Sequence, residues 1–240
     1  MRQVGVTVAA VTSRRLLIAA LATGALVLAG CGSSEEPADA VRPGTAEPTA
    51  ASDAAAAAAM ADPAAVQDPA QAAVAVALRA TDLPAGWSVQ ANPLPADVDL
   101  TANPSLTGIC GQTFTSEQHR TSKQPVVGLD GSGTPQLSSE AIAYDSPAAA
   151  GAAVQELVQA FGRCPEDQYT FQPAPSAEGL AATSVVFQYE LAAGTTQVVL
   201  AQARGQVLSV LIGEDPATTT AAGRAIATRL AALPAGAIGA

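Results

Sequence analysis

The stretch SVVFQYELAAGTTQVVLAQARGQVLSVLIG, residues 184–213, decides the fold. It contains three runs rich in β-branched and aromatic residues, at residues 184–191, 195–203 and 206–213. Ala193-Gly194 and Arg204-Gly205 separate these runs at the spacing of tight hairpin turns. The pattern predicts three consecutive antiparallel strands.

A helix is predicted on each side of these strands. Upstream, the sequence DSP at residues 145–147 supplies capping residues followed by a proline that suits the first helical turn. Gly162 marks the end of that helix, and the apolar residues between have helical spacing. Downstream, the sequence DP at residues 215–216 begins a second helix, which Pro234 and Gly236 close.

The rest of the globular part adds weaker strand signals, at residues 87–89, 121–127, 137–144 and 169–171. Residues 74–78 suit a helix or a strand, and their alanine content favours a helix. Without the short 169–171 candidate, the order is approximately β-β-α-β-β-β-α. We therefore expect an α+β fold, an antiparallel meander with its two main helices packed on one face.

The N-terminus has the pattern of a lipoprotein signal peptide over residues 1–30. Arginines precede an apolar run at residues 16–28, and the sequence LAGC at residues 28–31 resembles a lipobox, which places a lipid on Cys31. A retained signal anchor is the alternative, but residues 16–30 are shorter than the roughly 20 residues of a spanning helix. Arg14-Arg15 fits a twin-arginine export signal or an ordinary pair of charges in the signal peptide.

Composition divides the remaining chain into two parts. Residues 31–69 are rich in Ala, Pro and Ser and are acidic, which predicts a disordered tether. Residues 70–240 have the size of a single globular domain. The chain has 21 acidic and 11 basic residues and a net charge of −10, which argues against a nucleic-acid partner.

The three cysteines have separate predicted roles. With Cys31 assigned to the lipid, Cys110 and Cys164 remain as a pair in an oxidising compartment, which favours a disulfide. The alternative is a metal site, but two cysteines with His119 and no CxxC form a poor ligand set. We predict no metal and no cofactor.

No catalytic motif is present in the sequence. GxSxG, P-loop and HExxH patterns are absent, and Ser132 and His119 fall in predicted loops. Three acidic pairs are candidate carboxylate sites: Asp97 with Asp99, Glu166 with Asp167, and Glu214 with Asp215. The last pair suits a helix N-terminus. Trp87 is expected to anchor the core.

A family resemblance rests on the order of several motifs. Ala143-Tyr144-Asp145-Ser146-Pro147 leads into the Ala-rich helix and Cys164, and then come the aromatic strand at 169–171, GQVLSV at 205–210 and a terminal helix. Over about residues 75–235 this order resembles the PknH-like extracellular sensor domain of actinobacterial kinases and lipoproteins. The resemblance implies a ligand bound in a cleft, and it transfers no binding residue.

We therefore expect a non-catalytic sensor or ligand-binding module, anchored to the outer face of the cell membrane by the lipid on Cys31. Its expected ligand is a small molecule or a lipid. A module that binds another envelope protein, or a structural one, is the alternative, and an enzyme of unrecognised type is a third hypothesis.

Overall fold

The computed structural model describes residue 58 and residues 61–91, 102–106, 109–110 and 112–240. The predicted signal peptide, Cys31 and the Asp97–Asp99 pair lie outside the described residues. Within the described part, no helix is long and apolar enough to span a membrane.

Seven strands form one antiparallel sheet. They are β1 (Ser88–Ala91), β2 (Arg120–Leu129), β3 (Pro135–Tyr144), β4 (Tyr169–Gln172), β5 (Thr183–Leu191), β6 (Thr196–Arg204) and β7 (Val207–Gly213). Every predicted strand is present, including the short one at 169–171, which is β4.

Four α-helices that lie wholly within the described residues accompany the sheet, and each of the three longer ones begins at an acidic or hydroxyl cap followed by proline. They are α1 (Pro69–Val76), α2 (Pro147–Phe161), α3 (Pro216–Ala232) and the short α4 (Ala235–Ile238). The Asp215 side chain caps α3 and accepts a hydrogen bond from the Thr218 amide at 2.7 Å. Hydrogen bonds from the side chain and the amide of Thr218 lower the pKa of Asp215.

The strand order β1-β2-β3-β7-β6-β5-β4 joins two meanders at the middle of the sheet. β1 to β3 form the first, β4 to β7 form the second, and helix α2 carries the chain from β3 to the far edge. The joint is the antiparallel pair β3–β7, with Ala141 opposite Ser209.

The α+β class is confirmed, but the prediction that both main helices lie on one face is wrong. Helix α2 packs on the face that presents Ile142 and Leu208, whereas α1 and α3 pack on the opposite face with Ala141 and Leu211. The reason is visible in β7, which is buried at nearly every position. Strands with apolar residues on both sides need a layer of helices on each face.

Ordered structure begins before the predicted boundary at residue 70. A 3₁₀ turn at Pro63–Ala65 is capped by Asp62, and Val66 and Ala58 are buried in the same core as α1. The end of the predicted tether is therefore part of the fold, because small apolar side chains and an Asp-Pro cap suffice for packing against α3. The division at residue 31 lies outside the described residues.

Trp87 is not the expected core anchor. It is half-buried at the start of β1 and belongs to neither core cluster. The turn before it is as predicted, with Gly86 at φ +85° and the Trp87 amide donating to the Pro84 carbonyl.

Candidate ligand-binding cleft

A cleft of about 850 Å³ opens at the end of the sheet where β6 turns into β7. Three other cavities measure between about 240 and 300 Å³. The cleft is bordered by the N-terminal turns of α2, the C-terminal half of α3, and the loop before β5. Its size suits a drug-sized or lipid-like ligand.

Small side chains make the walls of this cleft. Eleven of its fourteen lining residues are glycine, alanine, threonine or proline. The smallest of them include Gly151, Gly179, Ala182, Ala203, Ala227 and Ala231. None of the lining residues is acidic. Backbone and methyl groups therefore provide a mainly apolar surface in an otherwise acidic protein.

The tight turn between β6 and β7 fixes the floor of the cleft. Gly205 has φ +55°, as the first central residue of a two-residue hairpin requires, and a side chain there would collide with the Ile238 carbonyl oxygen. The Gln206 side chain donates to the carbonyls of Tyr144 and Asp145, at 3.2 and 2.8 Å. The turn is thereby held against the start of α2 and against α4.

Arg204 is the cationic residue that lines the cleft. Its Nη1 donates to the carbonyl oxygen of Leu230 at 2.7 Å and to that of Leu233, which caps the end of α3. Within the described residues its Nε and Nη2 have no hydrogen-bond partner, and no carboxylate pairs with it. The sequence placed Arg204 only in a turn, so its role was missed.

Gly151 leaves open space in the wall formed by α2. It lies inside the helix, and a Cβ built on it would meet nothing within 4 Å. Glycine inside a helix costs about 0.5–1 kcal/mol relative to alanine. Packing does not require glycine here, so its effect is to widen the cleft.

Cys110 and Cys164 form a disulfide in the structure, and they lie away from the cleft. Cys164 follows the C-terminus of α2, while the cleft borders its N-terminus, and fifteen helical residues separate the two ends by about 20 Å. The bond therefore acts on the fold and not on the contents of the cleft.

Five aromatic residues cluster beside the disulfide, at the C-terminal end of α2. The cluster comprises Phe161, Tyr169, Phe171, Phe187 and Tyr189, with ring centroids 4.5–6.4 Å apart. Burial raises the pKa of Tyr189 to about 12. Sequence reasoning counted few aromatics but could not show that strands β4 and β5 bring most of them together.

Three glutamates hold residues 105–106 and 115–116 by their backbone amides, and we call them the carboxylate clamp: Glu117, Glu140 and Glu156. Glu117 and Glu140 accept the backbone amides of Ser105 and Leu106, each at 3.0 Å. This clamp has no signature in the sequence, because each contact joins residues that are at least 12 positions apart.

Glu156 is the member of the clamp that lies on α2. It accepts the amides of Thr115 and Ser116 at 2.9 and 3.1 Å, and both of their hydroxyls. Partial burial raises the pKa of Glu156, but these four hydrogen bonds outweigh it and leave the pKa lowered.

Lys123 is a buried cation that the clamp neutralises. Its side chain is 1% exposed, and its Nζ lies 2.8 Å from the Asn103 carbonyl and 3.3 Å from the Glu140 carboxylate. Burial beside this clamp also raises the pKa of Tyr144. These groups are all occupied by internal partners, which is typical of a structural network.

The other candidate residues are dispersed. His119 Nδ1 contacts Asp145 at 2.8 Å on the surface, where the hydrogen bond lowers the pKa of Asp145. The Ser132 hydroxyl donates to Asp130 in the β2–β3 turn and lowers the pKa of Asp130 to about 2. Glu166 and Asp167 are exposed between α2 and β4. No group of three metal-ligating side chains occurs within the described residues.

Comparisons with known proteins give one weak structural neighbour to report. No family model matches the chain, and no curated protein matches it. It is similar to the crystal structure of the extracellular domain of PknH from Mycobacterium tuberculosis, with 16% identity and a TM-score of 0.33. The match covers 47% of this chain and 63% of that one. Membership of a PknH-like family remains a prediction from the sequence.

Proposed function

We propose that this protein is a non-catalytic module that binds an apolar small molecule in the cleft at the β6–β7 turn. The observation that carries the proposal is Gly151, which widens the cleft although packing does not require glycine there. A cavity of about 850 Å³ with mainly apolar walls is the usual form of a small-molecule site.

The alternative of a protein-binding module has less support in the described residues. An interaction surface normally presents an apolar patch of several hundred Å². The large hydrophobic side chains exposed in the described part are Val158 and Phe171. An enzymatic role also has less support, since the clamp carboxylates are bound to backbone amides and the His119 ring contacts Asp145 and Gln118 on the surface of the described part.

A fluorescence titration tests the cleft. The probe is the neutral N-phenyl-1-naphthylamine, and the protein is the full chain with Cys31→Ser, so that no attached lipid competes. Gly151→Leu places a side chain in the open space, and we expect it to weaken probe binding about tenfold or more. Ala152→Leu, on the exposed side of the same helix, is the matched control and should leave the affinity within about twofold.

Two outcomes would contradict the proposal. One is an absence of saturable probe binding to the parent protein. The other is equal binding by the parent and the Gly151→Leu variant, which would place the probe elsewhere.

We further propose that a lipid on Cys31 anchors the module at the outer face of the cell membrane. The support is the order of charges, apolar run and LAGC at the N-terminus. Cys31→Ser should move the protein out of the membrane fraction of its host. Unchanged fractionation would overturn the anchor and leave the cleft proposal intact.

A further inference from the structure

We propose that the ligand of the cleft is an anionic amphiphile, whose carboxylate or phosphate group pairs with Arg204 while its apolar chain lies along the small-residue wall. This inference rests on the proposed function of the cleft and adds the chemical class of the ligand.

The geometry of Arg204 leaves its charge available. The two carbonyls at the end of α3 hold Nη1, so the guanidinium is fixed before any ligand arrives. Nε and Nη2 form the other edge of the planar group and have no partner within the described residues. Such an edge matches the two oxygens of a carboxylate or a phosphate.

Two other cations of the described residues, Lys123 and Arg229, are neutralised by carboxylates. Lys123 pairs with Glu140, and Arg229 forms a two-pronged pair with Asp82 at 2.7 Å for both contacts. Arg204 instead faces a cleft whose lining contains no acidic residue, although the chain has 21 of them. An anion would meet less repulsion here than on the rest of the surface.

The helix ends at the cleft do not cancel the positive charge of Arg204. The C-terminus of α3 has the equivalent of about half a negative charge, which the full charge of Arg204 exceeds. The N-terminus of α2, with Pro147 and Gly151 in the lining, contributes a partial positive charge from the opposite wall. Both walls therefore favour an anionic group near the turn.

The remainder of the cleft suits an apolar chain. The lining beyond Arg204 consists of glycines, methyl groups of alanines and threonines, Leu180 and Leu230. These surfaces have few hydrogen-bond groups to satisfy in a polar ligand, whereas a hydrocarbon chain gains from burial against them. The combination of one fixed cation and an apolar wall defines an amphiphile.

Three compounds with the same chain but different head groups test the charge. Decanoate, decyl phosphate and decanol are each titrated, below micelle formation, to displace the neutral probe from the full chain with Cys31→Ser. We expect at least one anion to bind about tenfold or more tightly than decanol, because charged hydrogen bonds to Arg204 are added to the same apolar contacts. If decanoate binds more tightly than decyl phosphate, the ligand carries a carboxylate; the reverse order indicates a phosphate.

Variants at Arg204 test whether that residue supplies the preference. In Arg204→Gln the ratio of anion to decanol affinity should fall to about one, and in Arg204→Lys it should be intermediate, since lysine keeps the charge but not the fork. Arg163→Gln removes an exposed arginine outside the cleft and should leave the ratio unchanged. The ratio is compared because Arg204 also caps α3, so a change in stability alone would shift all affinities together.

The outcomes separate the two proposals. If Arg204→Gln does not fold, the parent protein still tests the charge. Its ratio of anion to decanol affinity should fall as the salt concentration rises from about 0.05 to 0.5 M, because salt screens the ion pair with Arg204. Equal affinity for decanol and both anions, or a preference that Arg204→Gln retains, would overturn the anionic ligand while the cleft remains a binding site. Failure of the probe and all three compounds to bind would overturn the proposed function itself.

Discussion

The two ends of helix α2 are built in opposite ways. At its C-terminal end, the disulfide, the aromatic cluster and Glu156 of the clamp all hold the helix to its surroundings. At its N-terminal end, Gly151 faces empty space, and Nε and Nη2 of Arg204 have no hydrogen-bond partner in the part of the chain that the structure describes. The comparison teaches that one end supplies rigidity, so the other can leave a cleft open without loss of the fold.

Removing the disulfide at the C-terminal end of α2 should have the largest effect on the free energy of unfolding. The double variant Cys110→Ala/Cys164→Ala opens a loop of 54 residues, which in the chain-entropy model lowers the free energy of unfolding by about 4 kcal/mol. Urea denaturation measures the change. Probe affinity of the fraction that stays folded should be unchanged, because the bond lies at the end of α2 away from the cleft. A loss below about 1 kcal/mol would show that the disulfide does not secure this end.

Replacing Lys123, the buried cation that pairs with Glu140 of the clamp, should have the second-largest effect on the free energy of unfolding. Lys123→Met leaves Glu140 without its charge partner and frees the Asn103 carbonyl, so we expect a loss of about 3 kcal/mol in the free energy of unfolding. Arg163→Met, which removes an exposed arginine, is the control and should stay within about 0.5 kcal/mol. If both variants unfold at the parent's urea midpoint, the clamp contributes nothing to rigidity.

Two opposite substitutions test whether the N-terminal end of α2 has free space at Gly151. Gly151→Ala should raise the free energy of unfolding by about 0.5–1 kcal/mol, since alanine favours the helix and its Cβ meets no atom. Ala152→Gly, one residue along on the exposed side, should lower it by a similar amount. Both are measured by thermal or urea unfolding. Destabilisation by Gly151→Ala would mean that the wall has no free space.

The smallest expected effect concerns pH. The pKa of Glu156 is lowered from 4.5 in the folded protein, so the folded state binds fewer protons there than the unfolded state. Its carboxylate therefore stabilises the fold above that value, and the contribution is lost as the pH falls through the lowered pKa. Glu156→Gln should cost stability at about pH 7, and the difference from the parent should shrink by about pH 3.

The control for this titration is Glu190→Gln, which changes an exposed carboxylate on β5. Its difference from the parent should be small at both pH values, as is usual for exposed positions. A Glu156→Gln difference that grows on acidification would reverse the sign and contradict the assigned hydrogen bonds.

Local signals in the sequence predicted most of the elements but not how they are layered. The strands of residues 184–213, the capping of α2 and α3, and the turn at Gly205 follow from residue types and short spacings. The face of the sheet that each helix covers could not be predicted in this way. Strand β7 is apolar on both faces, so its sequence does not indicate which face a helix covers.

The cleft could not be predicted for a different reason. Its walls are glycine and alanine, which have no chemical signature, and its cation lies in what the sequence shows as an ordinary hairpin turn. The clamp was missed because its glutamates contact amides that are distant in the chain, such as Glu140 with Leu106. Sites that consist of backbone contacts or of open space between small side chains have no recognisable sequence pattern.

The central pair β3–β7 also affects the order in which the protein can fold. Ala141 lies opposite Ser209, so the middle of the sheet cannot close until most of the chain has been synthesised. A chain that stops before β7 can pair β1–β3 and β4–β6 only as two separate three-stranded sheets, whose inner edges at β3 and β6 are unpaired, and exposed edges of this kind promote aggregation. Incomplete translation of this protein should therefore produce an insoluble fragment and not a smaller working domain.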